Sequence, residues 1–340
     1  MVYGNTAAPT LLADLGGTNV RFGVADPTRK VPLLAESVRR YRVADFDSLV
    51  SAAKHYLAET GLKVHRFVIA AAGRINDGET VKVTNNPWAI SAKSTAESLG
   101  LEWVHLVNDF AAQSMAVMLL QPDDLVAVGK LPLPTIGQGD EQTFVIVGPG
   151  TGLGVGGLLL RQGHASVLQT EGGHAGFAAH SAADIEILKV LNARYGRVSN
   201  ERLICGAGLV NIYIAVCEIA GKTPEDLQPE DVTRRAEDNS CPMCVRAVET
   251  FAGIFGSVAG DLVLTLGAWD GVYLTGGLIP ILLPWLERGH FRERFEAKGR
   301  FRDTMEQVPT QAIMNPEPGL VGAAALATVE SGRSLLGLTD

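Results

Sequence analysis

Cysteine is scarce in this chain: four in 340 residues, at positions 205, 217, 241 and 244. That excludes a disulfide-held secreted scaffold and fits a reducing compartment, so a cytoplasmic location is expected. No block of Lys and Arg occurs, and the formal net charge is −8. A nucleic-acid surface, which needs clustered cations, is therefore excluded. Long apolar runs are also missing. The most apolar stretch, Phe251–Trp269, is interrupted by Asp261 and four glycines. It falls short of the roughly 18 uninterrupted apolar residues of a membrane span and reads as a buried helix. The first ten residues carry no basic segment ahead of an apolar core, so no export signal is expected. What the chain does have is 46% hydrophobic residues, enough to fill the cores of about two domains at this length.

Glycine is abundant and patterned. Leu11–Asp26 and Phe144–Leu159 share one design: a short apolar run, a Gly-Thr turn, and a second apolar run too rich in Gly for a helix. Such turns aim several backbone N–H groups at one point, which suits an anion. Two of them, on two halves that face each other, fit a clamp on a phosphate chain. A third turn, Gly276-Gly277, follows the apolar run Val272–Thr275. This reading makes the chain a two-lobed phosphoryl-transfer enzyme.

Hydrophobic spacing and capping residues lay out the elements. A hairpin is expected at Leu11–Leu15 and Val20–Ala25, with a third strand over Glu36–Val43. Helices are expected at Ser48–Thr60, ending at Gly61, and at Ser91–Leu99, ending at Gly100. Strands at Arg66–Ala71 and Trp103–Val107 follow, the second leading through Asn108-Asp109 into a helix over Phe110–Leu120. Gln121–Gln142, with three prolines and no clear period, reads as a crossing between lobes. Helices are expected at Ala182–Tyr195, Ala207–Ala220 and Cys244–Gly267. Asn315–Gly319 reads as the return crossing, and Leu320–Glu330 as a last helix packed on the first lobe. The lobes are thus 1–121 plus 315–340, and 122–314. Residues 223–243 are polar and read as a variable insertion.

Several side chains carry possible chemistry. Asp14 lies inside an apolar strand, where a charge is costly unless it is paired or faces a cation. It suits Mg²⁺ approached through water, with Thr18 and the Gly16-Gly17 amides near the phosphates; a structural Asp bonded to turn amides is the alternative. Asn108-Asp109 sits where a strand ends and a helix begins. Either residue would cap the helix, and a carboxylate beyond a strand's carboxyl end is also placed to take a proton from a substrate hydroxyl. Glu171 and His174 flank two glycines in a tight turn and are natural acceptors for sugar hydroxyls. Glu201 is a weaker signal, since a first-turn Glu is ordinary in a helix.

Three motifs are discounted. Gly152–Gly157 matches a dinucleotide fingerprint in form, but a strand follows it where a helix is required. Gly221-Lys222-Thr223 mimics the end of a Walker A loop, but Val216 stands where its first Gly should be. Cys241-Pro-Met-Cys244 is a lone pair without a second, so two reduced thiols are expected in place of zinc.

Taken in order, Asp14–Asn19, Asn108-Asp109-Phe-Ala, Gly148–Gly154, Glu171–His174, Glu201-Arg202 and Thr275–Gly277 resemble the bacterial glucokinase family, over about Leu11 to Val329. The resemblance implies an α/β chain with the two-lobed ribonuclease H-like or actin-like ATPase fold and a cleft between the lobes. It implies transfer of the γ-phosphoryl group of ATP to the C6 hydroxyl of D-glucose with Mg²⁺. By position, Asp109 would be the general base, and Asn108, Asp109, Glu171, His174 and Glu201 would hold the sugar. Asp14, Gly16, Gly17, Thr18, Asn19, Gly150, Thr151, Gly152, Gly276 and Gly277 would hold ATP, with Asp14 on the metal. A homodimer is expected, and glucose and ATP are the only other partners implied. The related ROK kinases carry a zinc-binding Cys cluster soon after the equivalent Gly-His; no Cys follows His174 until Cys205, which places the chain outside that group. A kinase for another hexose, a non-enzymatic sugar sensor and a nucleotide-dependent oxidoreductase are the rival readings. Retention of Asp109 counts against the sensor, and the strand after the second glycine turn against the oxidoreductase.

Overall fold

The computed structural model describes residues 8–132 and 134–336. The first segment, read above for an export signal, lies largely outside them. In chain order come β1 (Thr10–Leu15), β2 (Asn19–Ala25), β3 (Arg39–Arg42), α1 (Leu49–Thr60) and β4 (Arg66–Ala71). Next are three short strands, β5 (Ile75–Asn76), β6 (Thr80–Lys82) and β7 (Ala89–Ser91), then α2 (Ala92–Leu99), β8 (Trp103–Asn108) and α3 (Asp109–Ala116). The chain continues through β9 (Leu125–Ala127), β10 (Glu141–Pro149), β11 (Leu153–Arg161) and β12 (His164–Gln169). The helices α4 (Ala182–Tyr195), α5 (Gly206–Ile219), α6 (Pro229–Glu237) and α7 (Pro242–Leu266) come next. The last elements are β13 (Gly271–Leu274), α8 (Ile279–Leu286), α9 (His290–Glu296), α10 (Arg302–Met305), β14 (Thr310–Ile313) and α11 (Pro318–Glu330).

Two large mixed sheets result, ordered β3-β2-β1-β4-β8 and β12-β11-β10-β13-β14-β9. Their layouts match. In each, the strand before a glycine turn pairs antiparallel with the strand after it and parallel with a later strand. The repeated sequence pattern is therefore a repeated topology, and its two turns are equivalent hairpin tips. Local chemistry agrees with this layout. The buried run Thr10–Leu15 forms the central strand of its sheet. Ser48 and Ser51 make a reciprocal capping box at the start of α1, and Gly61 closes it in the left-handed region at φ 66°.

α3 and α11 lie between the sheets. Leu320, Ala323, Ala324 and Ala327 of α11 pack with Leu12, Val68 and Ala70 of the first sheet. Val321 and Ala325 on its other side pack with Phe144, Ile146 and Tyr273 of the second. A helix of small residues, apolar all round, is what such a sandwiched position requires. α7 is long and apolar enough to cross a membrane by length and composition, but most of it is buried. Phe251, Ile254, Phe255 and Val258 sit in the core on the outer side of the second sheet, as expected for a buried helix.

Some sequence expectations are corrected. Only Arg39–Arg42 of the third strand pairs, because 3₁₀ turns flank it on both sides. The helix after Asp109 stops at Ala116 and runs on as turn. The supposed crossing Gln121–Gln142 contains β9, an edge strand held by β14 through Gln311↔Ala127, and β10 already begins at Glu141. The polar stretch 223–243 contains α6, whose Val232 and Ala236 are fully buried. Pro280 and Pro284 mask α8 in the sequence; Pro280, in the first turn, leaves no helical bond unmade, whereas Pro284, inside the helix, forgoes the bond to the Pro280 carbonyl.

Candidate active site

The first glycine turn is closed by Gly16 N–H donating to Asn19 O at 3.0 Å, and braced by Asn86 Nδ2 donating to Gly16 O at 2.9 Å. The second is closed by Gly150 N–H on Gly152 O at 2.8 Å, and Gly206 N–H at the start of α5 donates to Gly150 O at 3.0 Å. The third turn lies against the second. Gly276 has φ 96°, and a Cβ there would stand 2.5 Å from Pro149 O. Only glycine takes that conformation at that approach. α3 carries this packing further, since Thr275 Oγ1 donates to Gln113 Oε1 at 2.8 Å. Strands follow the first two turns and α8 follows the third; the N-terminus of α5 also meets the second turn through Gly206, so helix N-termini stand at two of the three.

Asn108 caps α3. Its Oδ1 accepts from Phe110 N at 2.9 Å and Ala111 N at 3.2 Å, while its Nδ2 donates to Gly73 O at 3.1 Å. This leaves Asp109 as the first residue of the helix, with Oδ1 accepting from Phe110 N at 2.9 Å. Burial, followed by the charges of Asp14 and Glu171, raises the Asp109 carboxyl to about 6. Asp14 is pushed up by burial and pulled back by the Arg21 guanidinium, whose Nη1 lies 3.0 Å away. On the far wall, Glu201 Oε2 accepts from Leu153 N at 2.9 Å, and Glu201 Oε1 lies 3.9 Å from His174 Nδ1. Arg197 Nη2 holds the turn by donating to His174 O at 2.6 Å.

The three turns, Asp14, Asn108, Asp109, His174 and Glu201 line one pocket of about 650 Å³ between the two sheets. Every residue singled out from the sequence is in its lining: Asp14, Gly16, Gly17, Thr18, Asn19, Asn108, Asp109, Gly150, Thr151, Gly152, Glu171, His174, Glu201, Gly276 and Gly277. Of the discounted motifs, Gly221-Lys222-Thr223 and Cys241–Cys244 lie outside it, whereas Gly152–Gly157 reaches the lining through Gly152, Leu153, Gly154 and Val155. β11 is the strand that ruled out the dinucleotide fingerprint. Among the described residues no group of three or more His, Cys, Asp or Glu is placed to hold a metal ion, and Cys205, Cys217, Cys241 and Cys244 are free thiols. Sequence reasoning missed Arg21, Phe110, Gln113 and Asn85, which also line the pocket. Arg21 was within reach: the hairpin register pairs it with Asp14, the one charge in β1 that needed a partner.

Two like-ordered sheets with three glycine turns converging on one polar pocket place the chain in the α/β class shared by glucokinases and ROK sugar kinases. A glucokinase from an Antarctic psychrotroph superposes with TM-score 0.84 at 31% identity, covering 94% of this chain and 98% of that one. A ROK-family glucokinase from Streptomyces griseus, solved with glucose and AMPPNP, shares the fold at TM-score 0.63 and 20% identity, covering 94% and 98%. Within that class the chain belongs to the glucokinase family, whose model matches residues 11–330. A glucokinase of Stenotrophomonas maltophilia (strain K279a) is 54% identical over 319 residues, 94% of this chain and 95% of that protein.

Proposed function

We propose that the protein transfers the γ-phosphoryl group of ATP to the C6 hydroxyl of D-glucose, giving glucose 6-phosphate and ADP, the first step of intracellular glucose use. The observation that carries this reading is the position of Asp109. A carboxylate with a raised pKa stands at the carboxyl end of β8, in the same pocket as the three glycine turns and Glu171, His174 and Glu201. Asp109 takes the proton from the C6 hydroxyl as the oxygen attacks, a role that contributes about 10²–10⁴-fold. Asn108, Glu171, His174 and Glu201 accept or donate to the remaining hydroxyls and fix the attack direction. The amides of the three turns hold the ATP phosphates.

The donor set also fits Mg²⁺. Asp14 offers a carboxylate and Thr18 a hydroxyl in the same pocket lining, and a hard cation bound with ATP needs few protein oxygens besides the phosphates and water. When bound, the ion neutralises charge on the phosphate oxygens. Residues 1–121 with 315–340 form one lobe in this reading and 122–314 the other, and glucose draws them together. Support comes from the sheets: the strands of the first lie within 10–108, and those of the second within 125–313. The test is ADP release measured over a panel of hexoses, with ATP and with polyphosphate as donor. Glucose with ATP should give the highest kcat/KM; a higher value for another hexose or for polyphosphate would replace the proposed substrates.

A further inference from the structure

Arg21 stands between two carboxylates that come from distant parts of the chain. Its Nη1 donates to Asp14 Oδ2 at 3.0 Å, and its Nε lies 2.9 Å from Glu317 Oε2, an ion pair without the alignment of a hydrogen bond. All three side chains are largely buried, with relative exposures of 29% for Arg21, 16% for Asp14 and 24% for Glu317. Asp14 has a second restraint. A Cβ at Gly319, in the first turn of α11, would lie 2.5 Å from Asp14 Cγ, so the carboxylate rests against bare backbone there. Helix and guanidinium leave it one place to be.

Glu317 is itself tied down. Its N–H donates to Asn315 Oδ1 at 2.8 Å, and Asn315 Nδ2 donates to Asp124 Oδ1 at 2.9 Å. Asp124 O accepts from Met314 N at 2.7 Å, and Asp124 Oδ2 from Gln121 N at 2.9 Å. The outgoing crossing at 121–124 and the return crossing at 314–317 are thus bonded to each other, and Glu317 passes that anchorage to Arg21. The charge count is also informative. Arg40 also acts on Glu317, so Arg21 and Arg40 match Asp14 and Glu317 in number, and the negative charge at the pocket is that of Asp14 together with Asp109, whose carboxyl feels Asp14.

We infer that Arg21, seated on Glu317, is a positioning residue that holds the Asp14 carboxylate toward the pocket to receive the cation bound with ATP. This rests on the reading of Asp14 given above. The planar fork explains why arginine is used. It reaches two carboxylates at once from one rigid plane, and an ammonium offers one point. A merely structural ion pair would affect folding and leave cation and nucleotide affinity untouched.

The experiment is Mn²⁺ binding to the full chain in the presence of AMPPNP, followed by electron paramagnetic resonance, with KM for MgATP, kcat and glucose affinity measured alongside. R21Q should weaken Mn²⁺ binding and raise KM for MgATP by about tenfold, as expected for loss of a charge-assisted bond, with glucose affinity within about twofold of the parent. R21K should recover part of the loss. E317Q, which keeps the side-chain shape, should shift Mn²⁺ binding in the same direction by a smaller factor, and it decides the matter if R21Q fails to fold. The double variant D14N/R21Q should bind Mn²⁺ no worse than D14N. Unchanged Mn²⁺ binding in both R21Q and E317Q, with D14N weakened, overturns the role of Arg21 alone. Unchanged binding in D14N overturns the reading of Asp14 and this inference with it.

Discussion

Replacing Asp109 with Asn should make the protein more stable and nearly inactive. The Asp109 carboxyl is raised from 3.8 to about 6 by burial and by the charges of Asp14 and Glu171. An acid whose pKa rises on folding binds its proton more tightly in the folded state. Its ionised form therefore opposes folding, and the penalty accumulates between the unfolded and folded values and is constant above them. A shift of that size corresponds to about 3 kcal/mol at neutral pH, at 1.36 kcal/mol per unit. Asp109 lines an open pocket, so water screens part of it, and about 1–2 kcal/mol is the reasonable figure. The amide keeps the acceptor for Phe110 N–H, which Asp109 Oδ1 receives at 2.9 Å, so little is lost in exchange. At about 2.1 cal/mol/K of unfolding entropy per residue, 340 residues give about 1.4 °C per kcal/mol, so a gain of about 1.5–3 °C in Tm is expected at pH 7.5. It should shrink on acidification and vanish below about pH 4, near the unfolded pKa. Turnover should fall by about 10²-fold or more, with glucose affinity within a few-fold. Calorimetry across pH 4–7.5 checks the first part and steady-state kinetics the second. A Tm gain independent of pH, or no gain, would refute the electrostatic argument, and near-parental turnover would remove Asp109 from the chemistry.

The acid limb of kcat/KM should bend near pH 6 and fall about tenfold per pH unit below it, because protonated Asp109 cannot accept the hydroxyl proton; a bend near pH 4 would contradict the raised pKa. Glu201→Gln should raise KM for both glucose and ATP, each by about tenfold, since Glu201 faces His174 and also holds Leu153 N–H at the second glycine turn. An effect on glucose alone, in steady-state kinetics, would deny Glu201 its hold on the turn. Saturating glucose should reduce the radius of gyration in small-angle scattering, because a ligand that bonds both sides of the pocket favours their approach; an unchanged radius would speak against closure. Enzyme treated with chelator and then assayed with added Mg²⁺ should be active and free of zinc by elemental analysis, with its four cysteines titrating as thiols after denaturation; zinc at one equivalent would contradict this.

The glycine turns were legible because Gly-Thr between apolar runs marks itself, and Asn108-Asp109 because a strand hands over to a helix there; Glu201, in Ser-Asn-Glu-Arg, carried little local signal. Arg66–Ala71 and Ala182–Tyr195 have the same boundaries in sequence and structure. The first is a continuous buried run. The second starts at a Ser181 cap and ends before Gly196. Other elements depend on partners that local sequence does not record. β12 is mostly exposed and exists because it pairs with β11, and β14 is four residues long between β13 and β9. Glu317 belongs to this class as well: it reads as an ordinary surface charge until the return of α11 brings it to Arg21, whereas Arg21 itself follows from the register of the hairpin. The shared order of the two sheets was announced by the repeated turn motif, but its completion by β13 and β14 came from tertiary pairing.

Phosphoryl transfer to one hydroxyl of one sugar is read out by proton-coupled phosphorus-31 NMR of the reaction with ATP, Mg²⁺ and glucose. A phosphate ester at C6 is coupled to the two protons of a methylene group, whereas an ester at any ring carbon is coupled to one. Transfer to C6 gives a single new ester signal with two-proton coupling, appearing in step with ADP and absent when 6-deoxyglucose replaces glucose. A one-proton pattern, or inorganic phosphate released with ADP and no ester formed, would contradict it.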